Sequence, residues 1–184
     1  MPHPNVQMSY FVKNEASYSF NNKSFGDYTM LGAKRSSKFG NLEIGLAFKA
    51  TNSSLGGFGE AKYTTPKLGD SNWSIESRTR ILADTPFNKD DTNFSLTQRI
   101  AGKGSWNLGK GWNIYEIAGA NAKVSLEGKG FQSVTPTSIT GIGYNVNKNL
   151  NVYAEGEISK SYNIQDDSWG NFSPAVYLGA KYTF

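Results

Sequence analysis

Two glutamates, Glu155 and Glu157, stand two residues apart in NVYAEGEIS, a spacing that puts both carboxylates on one face of an extended strand about 7 Å apart. That separation would suit acid/base work or a cation site. Charge pairing is the simpler account: isolated charges turned into a narrow interior must be compensated, and Arg78, Arg80, Arg99, Lys49 and Lys123 supply the opposite sign. Two further acidic pairs, Asp90 with Asp91 and Asp166 with Asp167, sit in polar stretches where a divalent cation could bind, although solvated loop acids need no such role. The single histidine, His3, belongs to the leader MPHPN (1–5), where fraying is expected and a catalytic base is not. The glycines of GGFGEA and GIGYN are not followed by a helix pattern, so they read as small strand residues leaving room for aromatic rings, not as phosphate loops. Without cysteine the chain has no disulfides, thiolate nucleophiles or thiolate metal sites. No cofactor is called for.

The elements that must position these charges are strands. Hydrophobic residues make up 38% and charged residues 18% of the 184, below the usual ~45–50% and ~25% of soluble domains, and Gly, Ser, Thr, Asn and aromatics take their place. No run of about 18 apolar residues exists, which excludes a transmembrane helix and leaves a closed barrel as the only spanning alternative. A mean hydropathy of −0.50 counts little against insertion, because a barrel with a wet interior needs only every second residue apolar.

That alternation is present. Over 6–20, Val6, Met8, Tyr10, Val12, Ala16, Tyr18 and Phe20 form one row and Gln7, Ser9, Lys13, Glu15, Ser17 and Ser19 the other, with Asn14 and Phe11 breaking the pattern. Leu42, Ile44, Leu46, Phe48 and Ala50 oppose Glu43, Gly45, Ala47, Lys49 and Thr51. Trp73, Ile75, Ser77, Thr79 and Ile81 oppose Ser74, Glu76, Arg78 and Arg80. Less regular strands are expected near 27–35, 57–64, 93–108, 112–125, 134–146 and 172–184, for a total of about ten with the segment from Leu150. Glu116 shares a row with Ile114 and Ala118, which predicts a bulge or register change near Ala118.

The fold expected is all-β: one antiparallel up-and-down transmembrane β-barrel spanning 1–184, with N- and C-termini periplasmic. The connections at 36–41, 66–72, 108–112 and 145–150 read as compact periplasmic turns, and the intervening ones as longer outer loops. Trp73, Trp106 and Trp112 flank the compact set, as an interface girdle would. The basic-then-apolar pattern of a secretory signal is missing from the first residues, so an exported form would be the mature chain with a start Met added. The charge of +4 is scattered without a Lys/Arg block, and nucleic-acid binding is not expected.

The terminal YLGAKYTF, with Tyr177, Gly179, Tyr182 and Phe184, resembles the C-terminal assembly signal of bacterial outer-membrane proteins. Residues 141–158, GIGYNVNKNLNVYAEGEI, are similar to a hairpin of small outer-membrane barrels of the OmpA, OmpX and OmpW groups. The likeness is one of pattern over nearly the whole chain. It implies residence in a bacterial outer membrane, contact with lipid and lipopolysaccharide, recognition by the barrel-assembly machinery through the last strand, and room for a homo-oligomer. Outer-membrane enzymes of this build, the omptin-like proteases and the lipid A deacylases and palmitoyltransferases, use a histidine near the outer rim. His3 cannot serve there, so no enzyme is expected.

Three functions follow as expectations: a structural barrel or narrow, plugged pore lined by Lys49, Glu76, Arg78, Arg80, Arg99, Lys123, Glu155 and Glu157; an adhesin or receptor acting through outer loops that expose Phe87 and Trp169; or a soluble lectin-like barrel with its apolar rows turned inward.

Overall fold

A computed structural model describes residues 6–88, 91–128 and 130–184; the leader with His3, and Asp90, lie outside them. Ten antiparallel strands follow in chain order: β1 Gln7–Ser19, β2 Ser24–Ser37, β3 Gly40–Thr51, β4 Ser54–Thr64, β5 Trp73–Pro86, β6 Asn93–Gly109, β7 Trp112–Ser125, β8 Gly130–Asn145, β9 Leu150–Asn163 and β10 Ser168–Thr183. Each pairs with its sequence neighbours, and β1 pairs with β10 through Phe11↔Thr183 to Ser19↔Ala175, closing the barrel. Closure satisfies every strand edge, and with an even strand count both termini emerge at one end.

Alternation decides which side chains enter. The row of Ile44, Leu46 and Phe48 faces outward, with Leu46 74% and Phe48 84% exposed, whereas Glu76 on β5 is 1% and Arg99 on β6 is 4% exposed inside. This is the reverse of a soluble barrel, in which apolar rows fill the interior. Leu31, Ile81, Ile100, Ile158 and Leu178 continue the apolar exterior around the barrel.

The interior is less uniformly polar than the charged rows imply. Phe11, the residue that interrupts the polar row of β1, packs inside with Tyr28, Met30, Ala47 and Phe58, and a second cluster joins Ala101, Tyr115, Ile117 and Ile139. A ten-stranded barrel is close to the size at which side chains fill the space, and apolar groups share that filling with paired charges.

Two local expectations are corrected. The register of β7 with β6 and β8 runs unbroken through Ala118; its irregularities fall between Asn107 and Gly109 and between Lys123 and Val124. Glu116 therefore stays on the outer row, where its carboxylate accepts hydrogen bonds from Ser138 Oγ (2.6 Å) and Thr140 Oγ1 (2.5 Å) on β8. Local pairing of the carboxylate replaces the bulge as the way this residue is accommodated. The connections also differ from expectation. The set expected to be longer is short, with residues 20–23, 52–53 and 164–167 outside the strands, and the longest connection, 65–72, lies at the end carrying the termini. Polar flanks that read as loop continue the ladders instead: β5 runs on to Pro86 and β9 to Asn163. Of the three two-residue connections, that of β6–β7 has Lys110 and Gly111 both at positive φ (50° and 86°), the type I′ geometry that matches the twist of paired strands.

An outward carboxylate carries a cost in lipid even when hydrogen-bonded, smaller than the ~2–4 kcal/mol of a midplane Arg or Lys. Glu116→Gln keeps an acceptor for one hydroxyl and removes the charge. We expect it to raise folding stability in lipid vesicles by about 1 kcal/mol, read from denaturant midpoints, with little change in detergent.

Candidate functional site: a charged lumen

The inward rows converge on a central cavity of about 320 Å³. Glu76, Arg78 and Arg80 reach it from β5, Arg99 from β6, and Glu155 and Glu157 from β9. Lys49 and Lys123 stand farther along the barrel, lining a second cavity of about 450 Å³ with Asp84 and Glu127; Lys49 Nζ is 3.7 Å from Asp84 Oδ1. All eight charges singled out from the sequence thus border lumen cavities.

Their partners are not the ones the spacing suggested. Arg80 Nε donates to Glu60 Oε2 at 2.5 Å, and Arg99 pairs with Glu76. Register explains the choice: Glu60 is the direct cross-strand neighbour of Arg80, and Glu76 lies diagonally across from Arg99, whereas Glu155 and Glu157 project from β9 on another wall. Those two carboxylates instead accept hydrogen bonds from tyrosines, Glu155 from Tyr115 Oη (2.6 Å) and Glu157 from Tyr177 Oη (3.2 Å). Glu15 takes both Lys13 (2.9 Å) and Tyr153 Oη (2.5 Å), and Glu43 is shared by Lys62 and Lys181, each at 2.9 Å. Charge also rests on rings: the Arg80 guanidinium lies 4.5 Å from the Phe58 centroid and Lys181 Nζ 4.0 Å from that of Phe11.

Glycines make the tyrosine bridges possible. A Cβ at Gly179 would sit 2.2 Å from Cζ of Tyr153, and one at Gly141 at the same distance from Cζ of Tyr115, so each ring lies flat on bare backbone and carries its hydroxyl across to a carboxylate. Glu60, Lys62, Lys103 and Lys181 belong to the network although the sequence reading did not single them out. The signal was Glu60 and Lys62 at a spacing of two in FGEAKYT, obscured because Phe58 shares their row.

Chemically, the lumen combines ion pairs with charges that, among the described residues, have no ion-pair partner: Arg78, Glu155 and Glu157. Among the described residues, no group of three His, Cys, Asp or Glu side chains could hold a metal ion. Asp166 and Asp167 accept hydrogen bonds from Asn163 and Tyr162.

At the end carrying the termini, Trp73 and Trp106 meet edge to face at 5.9 Å and Trp112 lies 4.7 Å from Tyr144, forming an aromatic band that Tyr182 and Phe184 (5.0 Å apart) extend. On β10, Val176, Leu178 and Tyr182 point outward, as does Phe184 beyond it, while Tyr177 lines the cavity and Gly179 lies beneath the Tyr153 ring. The residues resembling an assembly signal therefore divide between an outer apolar row and inner packing.

No family model matches the chain, and no curated protein does. Solved structures similar in fold include Neisserial surface protein A (11% identity, TM-score 0.42, covering 98% of this chain and 99% of that one). Others are the KdgM porin in complex with disordered oligogalacturonate (14%, 0.44, 97% and 99%) and the NanC porin (12%, 0.47, 93% and 98%). Outer-membrane β-barrels thus stand among the structural neighbours of this closed ten-stranded barrel, and at these identities the likeness is one of fold alone.

Proposed function

We propose that the chain is an integral β-barrel of a bacterial outer membrane, termini toward the periplasm, serving as a structural barrel or a narrow pore. One observation carries the reading: bulky apolar side chains face outward along the strands while charged ones are buried inside. In water that arrangement would expose far more contiguous apolar surface than a soluble monomer tolerates; in lipid it is the stable one. The aromatic band fits the periplasmic headgroups, the outward row of β10 fits recognition by assembly machinery, and the opposite rim would meet lipopolysaccharide. Side chains and ion pairs line the lumen and leave cavities of about 250 to 450 Å³, so steady passage of large solutes is not part of this function. No catalysis is assigned to it. Short connections at the outer rim leave a receptor role, for which exposed Phe87 and Trp169 would be the contacts, as the second reading.

Planar-bilayer recording tests the pore assignment. The reconstituted chain is expected to give small, flickering conductance, and a large steady conductance of open-porin size would overturn it.

A further inference from the structure

We propose that the central cavity is a binding site for a small zwitterion, a molecule of amino-acid size with one carboxylate and one ammonium group. The inference rests on the reading of the interior as a solvated lumen and names what that lumen would take.

Several charged groups are left over after the cavity's ion pairs are formed. On the β5–β6 wall, Arg78 has no side-chain hydrogen bond and no ion pair among the described residues. Its direct cross-strand neighbour is Arg99, whose buried Nε also lacks a partner although the other side of that guanidinium holds Glu76. Like charges directly opposed on a sheet repel, and a buried N–H without an acceptor is costly, so this wall is short of an anion. On the β9 wall, Glu155 accepts from the Tyr115 hydroxyl and Glu157 from those of Tyr177 and Ser159, and among the described residues neither has a cation within 4.0 Å. That wall is short of a cation. A lone anion at Arg78 would meet Glu157 across the lumen, and a lone cation at Glu157 would meet Arg78 and Arg99. A ligand carrying both charges at its two ends completes both walls at once.

Room and access are present. About 320 Å³ corresponds to roughly ten waters at ~30 Å³ each, enough for a molecule of five to ten heavy atoms. The cavity shares Glu15, Tyr28, Arg80 and Tyr177 with a further one of about 250 Å³ that reaches Ser19 and Ser24 beside the β1–β2 connection, giving an approach from the rim opposite the termini. In the bound arrangement the ligand carboxylate accepts from Arg78 and Arg99 Nε, and its ammonium donates to Glu157 and Glu155.

The test uses the full chain folded in detergent micelles, labelled with 15N-arginine, and follows the Arg99 Nε–Hε resonance during titration with glycine, sodium acetate or methylammonium chloride. Glycine is expected to shift that resonance saturably and to bind at least tenfold more tightly than either single-charge probe. Arg78→Gln and Glu157→Gln should each weaken glycine about tenfold or more, and Arg78→Lys, which keeps the charge and the fold, should weaken it less. Acetate binding as tightly as glycine, with Glu157→Gln neutral, would overturn the proposal in favour of an anion site. Methylammonium binding as tightly would overturn it in favour of a cation site, and absence of any saturable shift would remove the site. Failure of the membrane reading is separately visible: a chain that stays folded and monomeric without detergent contradicts that reading, and the same glycine titration in buffer still decides the site.

Discussion

Replacing Glu76 by Gln is expected to lower folding stability by about 3–5 kcal/mol, the scale of breaking a buried ion pair from one side. Glu76 and Arg99 are the most deeply buried charges of the lumen, and each compensates the other. Arg99 is placed to depend on this partner more than most: its Nε is already without an acceptor, its cross-strand neighbour is Arg78, and Lys62 and Lys103 line the same cavity. Removing the carboxylate charge leaves the guanidinium of Arg99 without its ion-pair partner and directly opposite that of Arg78, while Lys62 stays paired with Glu43. Chemical unfolding of the barrel in micelles measures the loss. The double substitution Glu76→Gln/Arg99→Leu should recover much of it, because removing both partners eliminates the uncompensated charge. A loss below 1 kcal/mol for the single change would mean that the pair is solvated and that the lumen is wetter than its packing indicates.

A comparable loss is expected on the opposite face of the wall. Leu46 stands midway along β3 at the centre of the outward row with Ile44 and Phe48. Leu46→Arg should cost about 2–4 kcal/mol in lipid vesicles, the penalty of a cation on the lipid face near the bilayer midplane. The same substitution on a water-facing surface would change stability by no more than about 0.5 kcal/mol. The two outcomes are far enough apart that an equilibrium unfolding curve in vesicles, set beside one for Leu46→Ala, separates them.

Strand existence and facing were legible in the sequence because both are local properties. Period-two alternation in 41–51 and 73–81 assigned Leu46 and Arg78 to opposite faces without reference to any other strand, and one residue of register error would have inverted both. Phe11 shows where that logic weakens. It breaks the polar row of β1 and yet lies inside, because a narrow barrel needs bulk in its interior as well as charge. Ion-pair partners were not legible, since they depend on register between strands. Glu60 meets Arg80 because β4 and β5 pair at those residues, a fact that neither segment encodes alone. Glu116 was misjudged for the same reason: the two hydroxyls that satisfy it come from β8, 22 and 24 residues away. Connection lengths were overestimated where polar alternation, as in 82–86 and 160–163, continued hydrogen-bonded ladders past the apolar core of the strand.

The central claim is that one face of each strand meets lipid and the other a polar lumen. The chain has no cysteine, so single cysteines can be placed at will along β3 and labelled with nitroxide. Collision rates with oxygen, which partitions into lipid, and with a water-soluble nickel complex should then alternate: high oxygen access at 44, 46 and 48, greatest near 46, and low oxygen access at 43, 47 and 49. Nickel access at 44, 46 and 48 equal to that of a freely solvated loop site, with no oxygen maximum along the strand, would contradict the membrane barrel and the function built on it.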